Sequence, residues 1–213
     1  MSTTKKINDG AIKLTRDNIT QGRLGEKIRS ISGSDKVLTK EELINERRKI
    51  IPDNGIGNDL YVFAYGSLLW NPTVEYEGQF LAKIYGFHRS FCMKTYLGRG
   101  SFDNPGLMLG LDKGGSCQGM AFKLKKSNAI KNIDILFQRE MVTGAYRPKL
   151  LKTKLANGKI VLSLAFTVDK KHKNFFEKKD VKIKAKMIAK ANGFLGSCSC
   201  LLYTSPSPRD VEE

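Results

Sequence analysis

Residues 60–70 read Leu-Tyr-Val-Phe-Ala-Tyr-Gly-Ser-Leu-Leu-Trp, an apolar run that a glycine interrupts. Six apolar or aromatic residues in succession predict a buried strand that ends at Gly66. A strand that runs into Gly66 and Ser67 permits a tight turn whose successive backbone N–H groups face one point. Such a turn binds a carboxylate or an oxyanion without a cationic side chain. A turn that only ends the strand has the same sequence, so this motif alone leaves both interpretations open.

Around this strand, short apolar runs are separated by turn residues. The Ala156-Asn-Gly158 stretch between two such runs is typical of a β-hairpin. Apolar residues at helical spacing predict a helix over 127–141, and Asp180 can cap a last helix. Elements in this order do not alternate as βαβ units do, so we predict an α+β fold with a mainly antiparallel sheet that can close into a barrel. The further predicted strands are 80–85, 89–95, 106–111, 118–124, 150–155 and 160–168.

The part of the chain before this strand differs from it in composition. Residues 1–58 form a polar N-terminal extension with one short helical pattern near 38–51. Thr39 and Glu42 are spaced as in a capping box at the start of that helix. We therefore expect the folded domain to cover residues 59–199.

The end of the chain differs from everything before it. The ten residues from Leu201 to Asp210 equal the translation of a transposase sequencing adapter and bear no relation to the preceding helical pattern. We therefore expect residues 200–213 to be an artefactual tail with few buried contacts, and the natural chain to be interrupted near Ser199. The alternative is an ordinary flexible tail.

The composition of the 213 residues limits the classes of function. Lys and Arg number 37 against 21 Asp and Glu, a net charge of +16. Only ten of the 37 are arginine, which contacts bases and phosphates more often than lysine does. We therefore interpret the charge as a solvated lysine surface and expect no nucleic-acid partner.

No apolar run approaches the roughly 20 residues of a transmembrane helix and no signal peptide is visible, so we expect no membrane association. The spacing of the four cysteines is typical of a cytoplasmic protein.

Missing motifs exclude several kinds of enzyme. The sequence lacks the glycine-rich dinucleotide and phosphate loops and the His-Glu-x-x-His zinc motif. Two histidines, His88 and His172, are too few for a multi-histidine metal site, so we expect no metal. Leu69 stands where the nucleophile elbow of a serine hydrolase has its last glycine.

A carboxylate at the end of an apolar helical pattern is the second candidate feature beside the turn. Glu140 follows Arg139 at that helix end. It is either a solvated charge or a partly buried base with a raised pKa, and the residues alone leave both interpretations open. Glu75 and Glu77, which follow the turn, are the alternative carboxylates to test.

Several motifs follow one another in a fixed order between residues 60 and 199. Tyr65-Gly-Ser-Leu68 and Arg139-Glu-Met141 are specific in combination, and Gly86-Phe-His-Arg89 and Arg99-Gly100 lie between them. Together they resemble the ChaC family of γ-glutamylcyclotransferases. Ala64 departs from the family, which often has glycine there, and the family's closing helices beyond residue 199 are absent.

The resemblance implies a small antiparallel β-barrel with flanking helices that cleaves glutathione to 5-oxoproline and cysteinylglycine without a metal or an organic cofactor. It implies Glu140 as the base that takes a proton from the γ-glutamyl amine and then protonates the departing amine. A cyclotransferase for other γ-glutamyl amines or peptides and a noncatalytic basic module on the same scaffold are the alternatives. The residues expected to bind substrate are Val62, Phe63, Ala64, Tyr65, Gly66, Ser67, Leu68, Arg89 and Tyr146.

Overall fold

The computed structural model describes residues 12–32, 37–57, 59–177 and 180–204, and its centre is a closed barrel of five strands. Around the barrel the strand order is β1, β3, β2, β4, β5. β1 pairs antiparallel with β3 and parallel with β5, and β2 pairs antiparallel with β3 and β4. The predicted α+β fold with a mainly antiparallel barrel is confirmed. The strands are β1 Tyr61–Ala64, β2 Tyr76–Thr95, β3 Gly106–Leu124, β4 Tyr146–Leu155 and β5 Ile160–Val168.

Helices flank the barrel at both ends of the chain and between β3 and β4. They are α1 Arg16–Thr20, α2 Arg23–Ser32, α3 Lys40–Arg48, α4 Ala129–Glu140, α5 Val181–Lys190 and α6 Cys200–Thr204. Short 3₁₀ helices span Ser67–Leu69 and Lys126–Asn128, and a small sheet pairs β6 Asn192–Gly193 with β7 Gly196–Ser197. Within the described ranges no helix is long and apolar enough to cross a bilayer.

Capping side chains define two of the predicted helices. The predicted capping box is present at α3, where Thr39 Oγ1 accepts from the Glu42 N–H and the Glu42 carboxylate accepts from the Thr39 N–H. At α5 the Asp180 carboxylate accepts from the N–H groups of Lys182 and Ile183. Each cap gives acceptors to N–H groups that the first helical turn leaves unpaired, which explains where these helices begin.

Strand β1 is buried on both of its faces. Val62 and Ala64 pack in a core with Phe137 of α4, whereas Tyr61 and Phe63 pack in the second core, among residues of the other strands. Successive side chains of a strand point to opposite faces, so two cores require a continuous apolar run. This is why the apolar stretch in the sequence shows no polar alternation.

The prediction of separate short strands at 80–85, 89–95, 106–111 and 118–124 is wrong. The first two form one strand, β2, and the last two form one strand, β3, paired along most of their length. Gly86 (φ +82°) and the paired glycines Gly114 (φ +98°) and Gly115 (φ +68°) bend these strands at register shifts without ending them. Glycine tolerates this backbone conformation within a pair of hydrogen-bonded strands. The glycines that predicted turns from the sequence therefore lie at β-bulges inside continuous strands.

The N-terminal region contains more structure than the one short helix predicted from the sequence. Helices α1 and α2 precede α3, and α2 buries Leu24 and Ile28, which lie four residues apart on one helix face. Gly25, Glu26 and Lys27 between these positions obscure the apolar spacing in the sequence. Residues 1–11, 33–36 and 58 lie outside the described part of the chain.

The tail departs from its expected loose packing at its first residues. Residues Cys200–Thr204 form helix α6, and Leu201 is buried in a cluster with Leu107, Ile188 and Ala191. The expectation of few buried contacts is therefore wrong at Leu201, because an apolar side chain there completes an apolar cluster. The adapter interpretation itself stays a prediction, and residues 205–213 lie outside the described part of the chain.

We predict that Gly119→Ala destabilises the barrel. A Cβ atom at Gly119 of β3 would lie 2.2 Å from the carbonyl oxygen of Ala64 and 2.9 Å from Phe63 Cζ. Overpacking of this kind costs about 1–3 kcal/mol, and a backbone atom cannot rotate away to relieve it. The free energy of unfolding, measured in urea, is expected to fall by at least that amount.

Gly25→Ala in α2 is the matched control. A Cβ atom there meets Val37 and Val142 at 3.6 and 3.8 Å, which is ordinary contact. Alanine in a helix is favoured over glycine by about 0.5–1 kcal/mol, so this variant is expected to be slightly more stable. Equal stabilities of the two variants would contradict the close approach of β1 and β3.

Candidate active site

A cavity of about 690 Å³ opens at the end of β1. The turn after β1 contributes Tyr65 to Leu68 to its lining, and the end of α4 contributes Glu140. Tyr146 at the start of β4 also lines it. The predicted turn, carboxylate and tyrosine therefore lie in one cavity, although they are up to about 80 residues apart in the sequence.

The turn consists of Gly66 and the 3₁₀ helix Ser67–Leu69. The first N–H groups of such a helix have no acceptor within the helix itself, and Ser67 and Leu68 hold these positions beside the cavity. A Cβ atom built at Gly66 meets no heavy atom within 4 Å. The cavity can therefore be approached closely at the turn backbone.

Arg139 is a buried cation that connects the turn to the end of α4. Its side chain is 3% exposed, and its Nη2 donates to Ser67 Oγ at 2.9 Å. Its Nη1 donates to the carbonyl oxygen of Asn71 and to Thr73 Oγ1, the latter at 3.2 Å. One guanidinium thus holds three positions of the segment that follows β1, because its donors lie in a rigid plane.

The same guanidinium faces the candidate carboxylate. Arg139 Nε lies 3.0 Å from Glu140 Oε1, and the Glu140 side chain is 18% exposed. Burial raises the pKa of Glu140, and the positive charge of Arg139 opposes that shift. Of the two interpretations of Glu140, the geometry supports the partly buried base.

Two buried tyrosines border the carboxylate. The Tyr65 hydroxyl donates to the Phe166 carbonyl at 2.9 Å, and the Tyr146 hydroxyl donates to the Leu109 carbonyl at 3.0 Å. Burial raises the pKa of both phenols, and the charge of Glu140 raises it further. Both therefore stay protonated with their single O–H engaged, so each phenol oxygen can only accept a further hydrogen bond.

Four of the predicted substrate-binding residues do not line the cavity in the described structure. Val62, Phe63 and Ala64 are buried within β1, where they fill the two cores. Arg89 lies on β2, where its Nη1 donates to the Tyr65 carbonyl at 3.4 Å. The side chains of these four residues therefore hold the turn in place and do not themselves reach the cavity.

The alternative carboxylates also lie elsewhere. Glu75 pairs with Arg16 at 3.3 Å, and Glu77 pairs with Lys123 at 2.7 Å. Neither lines the cavity, and Glu140 is the sole carboxylate among the described lining residues. No three His, Cys, Asp or Glu side chains in the described ranges are grouped closely enough to hold a metal ion.

The cavity lining also contains a group of cationic side chains that the sequence did not predict. The described lining contains five Lys and Arg residues and one carboxylate. They come from separate parts of the chain, so no local motif identifies them. Such a lining favours a ligand with more than one negative charge. The five are Lys13, Lys94, Arg99, Arg139 and Lys173.

The family assignment follows from the comparison with known protein families. The family model described as ChaC-like protein matches residues 60–204, which include the turn, Arg139, Glu140 and Tyr146. The chain belongs to the ChaC-like family. The match begins at β1, so helices α1 to α3 of this ChaC-like protein precede the matched region.

Two curated relatives of this ChaC-like protein are both named glutathione-specific γ-glutamylcyclotransferase. The relative from Escherichia coli (strain K12) is 34% identical over 153 residues, which cover 72% of this chain and 65% of the relative. The relative from Schizosaccharomyces pombe is 28% identical over 179 residues, or 71% of this chain and 87% of the relative. The chain thus spans slightly less than two thirds of the Escherichia coli protein.

A solved structure shares the fold. The crystal structure of a selenomethionine-labelled γ-glutamyl cyclotransferase specific to glutathione from yeast aligns with a TM-score of 0.65. The alignment covers 74% of this chain and 88% of the yeast protein at 18% identity. The barrel with flanking helices is therefore the architecture of both proteins.

We predict that Arg139→Met raises the pKa of Glu140 further. The substitution removes the positive charge that favours the carboxylate, whereas burial, which disfavours it, remains. A ¹³C NMR titration of the glutamate side-chain carboxyl groups, with the Glu140 signal assigned from Glu140→Gln, measures the shift.

Arg139→Lys is the matched control for that titration. Lysine retains the charge, so the pKa of Glu140 is expected to change less than in Arg139→Met. A folded Arg139→Met protein with an unchanged Glu140 pKa would show that the guanidinium does not act on this carboxylate.

Proposed function

We propose that the protein is a γ-glutamylcyclotransferase that acts on glutathione and releases 5-oxoproline and cysteinylglycine. The observation that carries this proposal is the position of a buried carboxylate, Glu140, in the same cavity as the turn from Tyr65 to Leu68. The choice of glutathione as the substrate is supported by the curated relatives, which are named as specific to glutathione.

The turn is proposed to bind the γ-glutamyl end of the substrate. The N–H groups of Ser67 and Leu68 are donors for its α-carboxylate or for the oxyanion that develops on the δ-carbonyl. The Tyr146 oxygen, whose own proton is donated to Leu109, is an acceptor for the α-ammonium group. These contacts together hold the amine and the carbonyl of one γ-glutamyl group in a single conformer.

The reaction is an intramolecular displacement. Glu140 takes a proton from the α-ammonium group, and the freed amine attacks the δ-carbonyl carbon to close a five-membered ring. The C–N bond to cysteinylglycine then breaks as the proton held by Glu140 passes to the departing amine. The ring nitrogen loses its second proton through the same carboxylate, so 5-oxoproline leaves with one N–H and cysteinylglycine leaves as the ammonium form. Nucleophile and electrophile belong to one molecule, so orientation supplies much of the rate acceleration, up to about 7–11 kcal/mol in favourable cases.

Charge and thiol chemistry support this assignment. Glutathione carries two carboxylates, and the cationic lining described above is suited to a ligand with two such groups. All four cysteines are free thiols, which is usual in a reducing compartment, and we propose a cytoplasmic location. The proposed chemistry needs no metal or organic cofactor, because the side chains of the site supply the proton transfer.

Glu140→Gln is expected to lower kcat by about 10²–10⁴-fold. Glutamine retains the shape of glutamate but cannot accept the proton of the ammonium group. Release of 5-oxoproline from glutathione measures turnover, and circular dichroism reports the fold. Glu77→Gln is the matched control, because its carboxylate pairs with Lys123 outside the cavity and normal turnover is expected. Near-normal turnover of Glu140→Gln would refute the assignment.

Gly66→Val is expected to raise KM by about tenfold, the scale on which pockets respond to one or two methyl groups. A Cβ atom at this position meets no heavy atom within 4 Å, so the added side chain extends into space beside the turn that the substrate needs. Ser67→Ala is expected to have less effect, because the variant keeps the backbone N–H that is proposed to bind substrate. It loses only the hydroxyl, which accepts a hydrogen bond from Arg139. Melting temperatures of both variants separate binding from folding. Covalent trapping of Ser67 by an acylating reagent would instead favour a serine nucleophile.

A further inference from the structure

The segment that precedes the family match forms part of the cavity wall. Ile12, Leu14, Leu24 and Ile28 line the cavity together with Lys13. Four of these five side chains are apolar, in contrast to the polar groups of the turn and of Glu140. The cavity therefore combines a polar part built by the barrel and α4 with an apolar part built by the N-terminal segment.

Hydrogen bonds attach this segment to the loop that follows the turn. The side-chain amide of Asn71 donates to the Leu14 carbonyl at 2.8 Å, and Arg16 Nη1 donates to the Thr73 carbonyl at 3.1 Å. Asn71 and Thr73 are also the residues that Arg139 contacts. The N-terminal segment, which precedes the loop in the chain, and the end of α4, which follows it, thus both bind the same loop.

Apolar packing brings the segment to the neighbourhood of Glu140. Leu24 and Ile28 form one buried cluster with Val142, two residues after Glu140, and Leu14 packs against that cluster. The wall is therefore fixed relative to the reacting groups. A fixed wall can discriminate between ligands by their size, because a clash with it cannot be relieved cheaply.

We infer that residues 12–28 form the wall that receives the leaving-amine half of the substrate and selects substrates by the bulk of that half. This inference rests on the proposed function. The turn and Glu140 recognise the γ-glutamyl end, which all such substrates share. The departing amine must extend from the reacting carbonyl into the rest of the cavity. An apolar wall suits γ-glutamyl peptides that carry a thiol or another weakly polar side chain next to the scissile amide.

Leu14→Ala tests the wall, because it shortens a lining side chain and retains the carbonyl that binds Asn71. Glutathione and S-butylglutathione share the γ-glutamyl end and differ at the sulfur beside the leaving amine, where a butyl group replaces the thiol hydrogen. The ratio of their kcat/KM values, S-butyl over unmodified, is expected to rise about tenfold. Leu38→Ala is the matched control, a partly buried leucine of the same region that does not line the cavity, and its ratio is expected to stay at the wild-type value.

A purely structural role of the segment would lower both kcat/KM values in parallel, and an unchanged ratio in folded Leu14→Ala protein overturns the inference. Calorimetric dissociation constants of both compounds, measured with Glu140→Gln protein with and without Leu14→Ala, give the same ratio without turnover. Wild-type protein that converts neither compound would refute the proposed function, and the binding ratio would then still decide whether the wall selects by bulk.

Discussion

The double burial of β1 is the constraint from which the rest of the architecture follows. Its four residues, Tyr61–Ala64, send alternate side chains into two cores and pair with β3 on one side and β5 on the other. A slip by one residue would exchange the contents of both cores, so the register of this strand is strongly specified. The turn after Ala64 consequently emerges at a fixed point above the barrel, and α4 packs against one of the two cores to bring its last residue there.

The chemistry of the cavity then depends on one buried guanidinium. Arg139 holds the loop after the turn and faces Glu140, so the same side chain positions the turn and opposes the rise that burial causes in the pKa of Glu140. A buried charge of this kind is tolerated when its donors are satisfied, as here by Ser67, Asn71 and Thr73. Geometry and electrostatics at this site are therefore difficult to change independently.

Local signals in the sequence predict much of this structure. The apolar run of β1, the capping box at Thr39, the Asp180 cap and the hairpin at 156–158 are each specified by neighbouring residues, and the structure confirms them. The long strands β2 and β3 were missed because a glycine at a bulge and a glycine at a turn have the same sequence signal. Helix α2 was missed because its apolar face consists of few residues among many charges. The cavity lining was only partly predicted, since contacts such as Asn71 with Leu14 join positions 57 residues apart.

The excess of cations around the cavity has a consequence for the lifetime of the protein. Five positive side chains that line one cavity repel one another in the free protein, and the carboxylates of a bound ligand offset part of that repulsion. Binding to the native state alone shifts the folding equilibrium, by about 2.7 kcal/mol when the ligand stands at 100 times its dissociation constant. Proteases act on the unfolded fraction, so an anionic ligand at high concentration would slow degradation of the protein that binds it. Abundance of the protein would then follow the supply of that ligand without any change in synthesis.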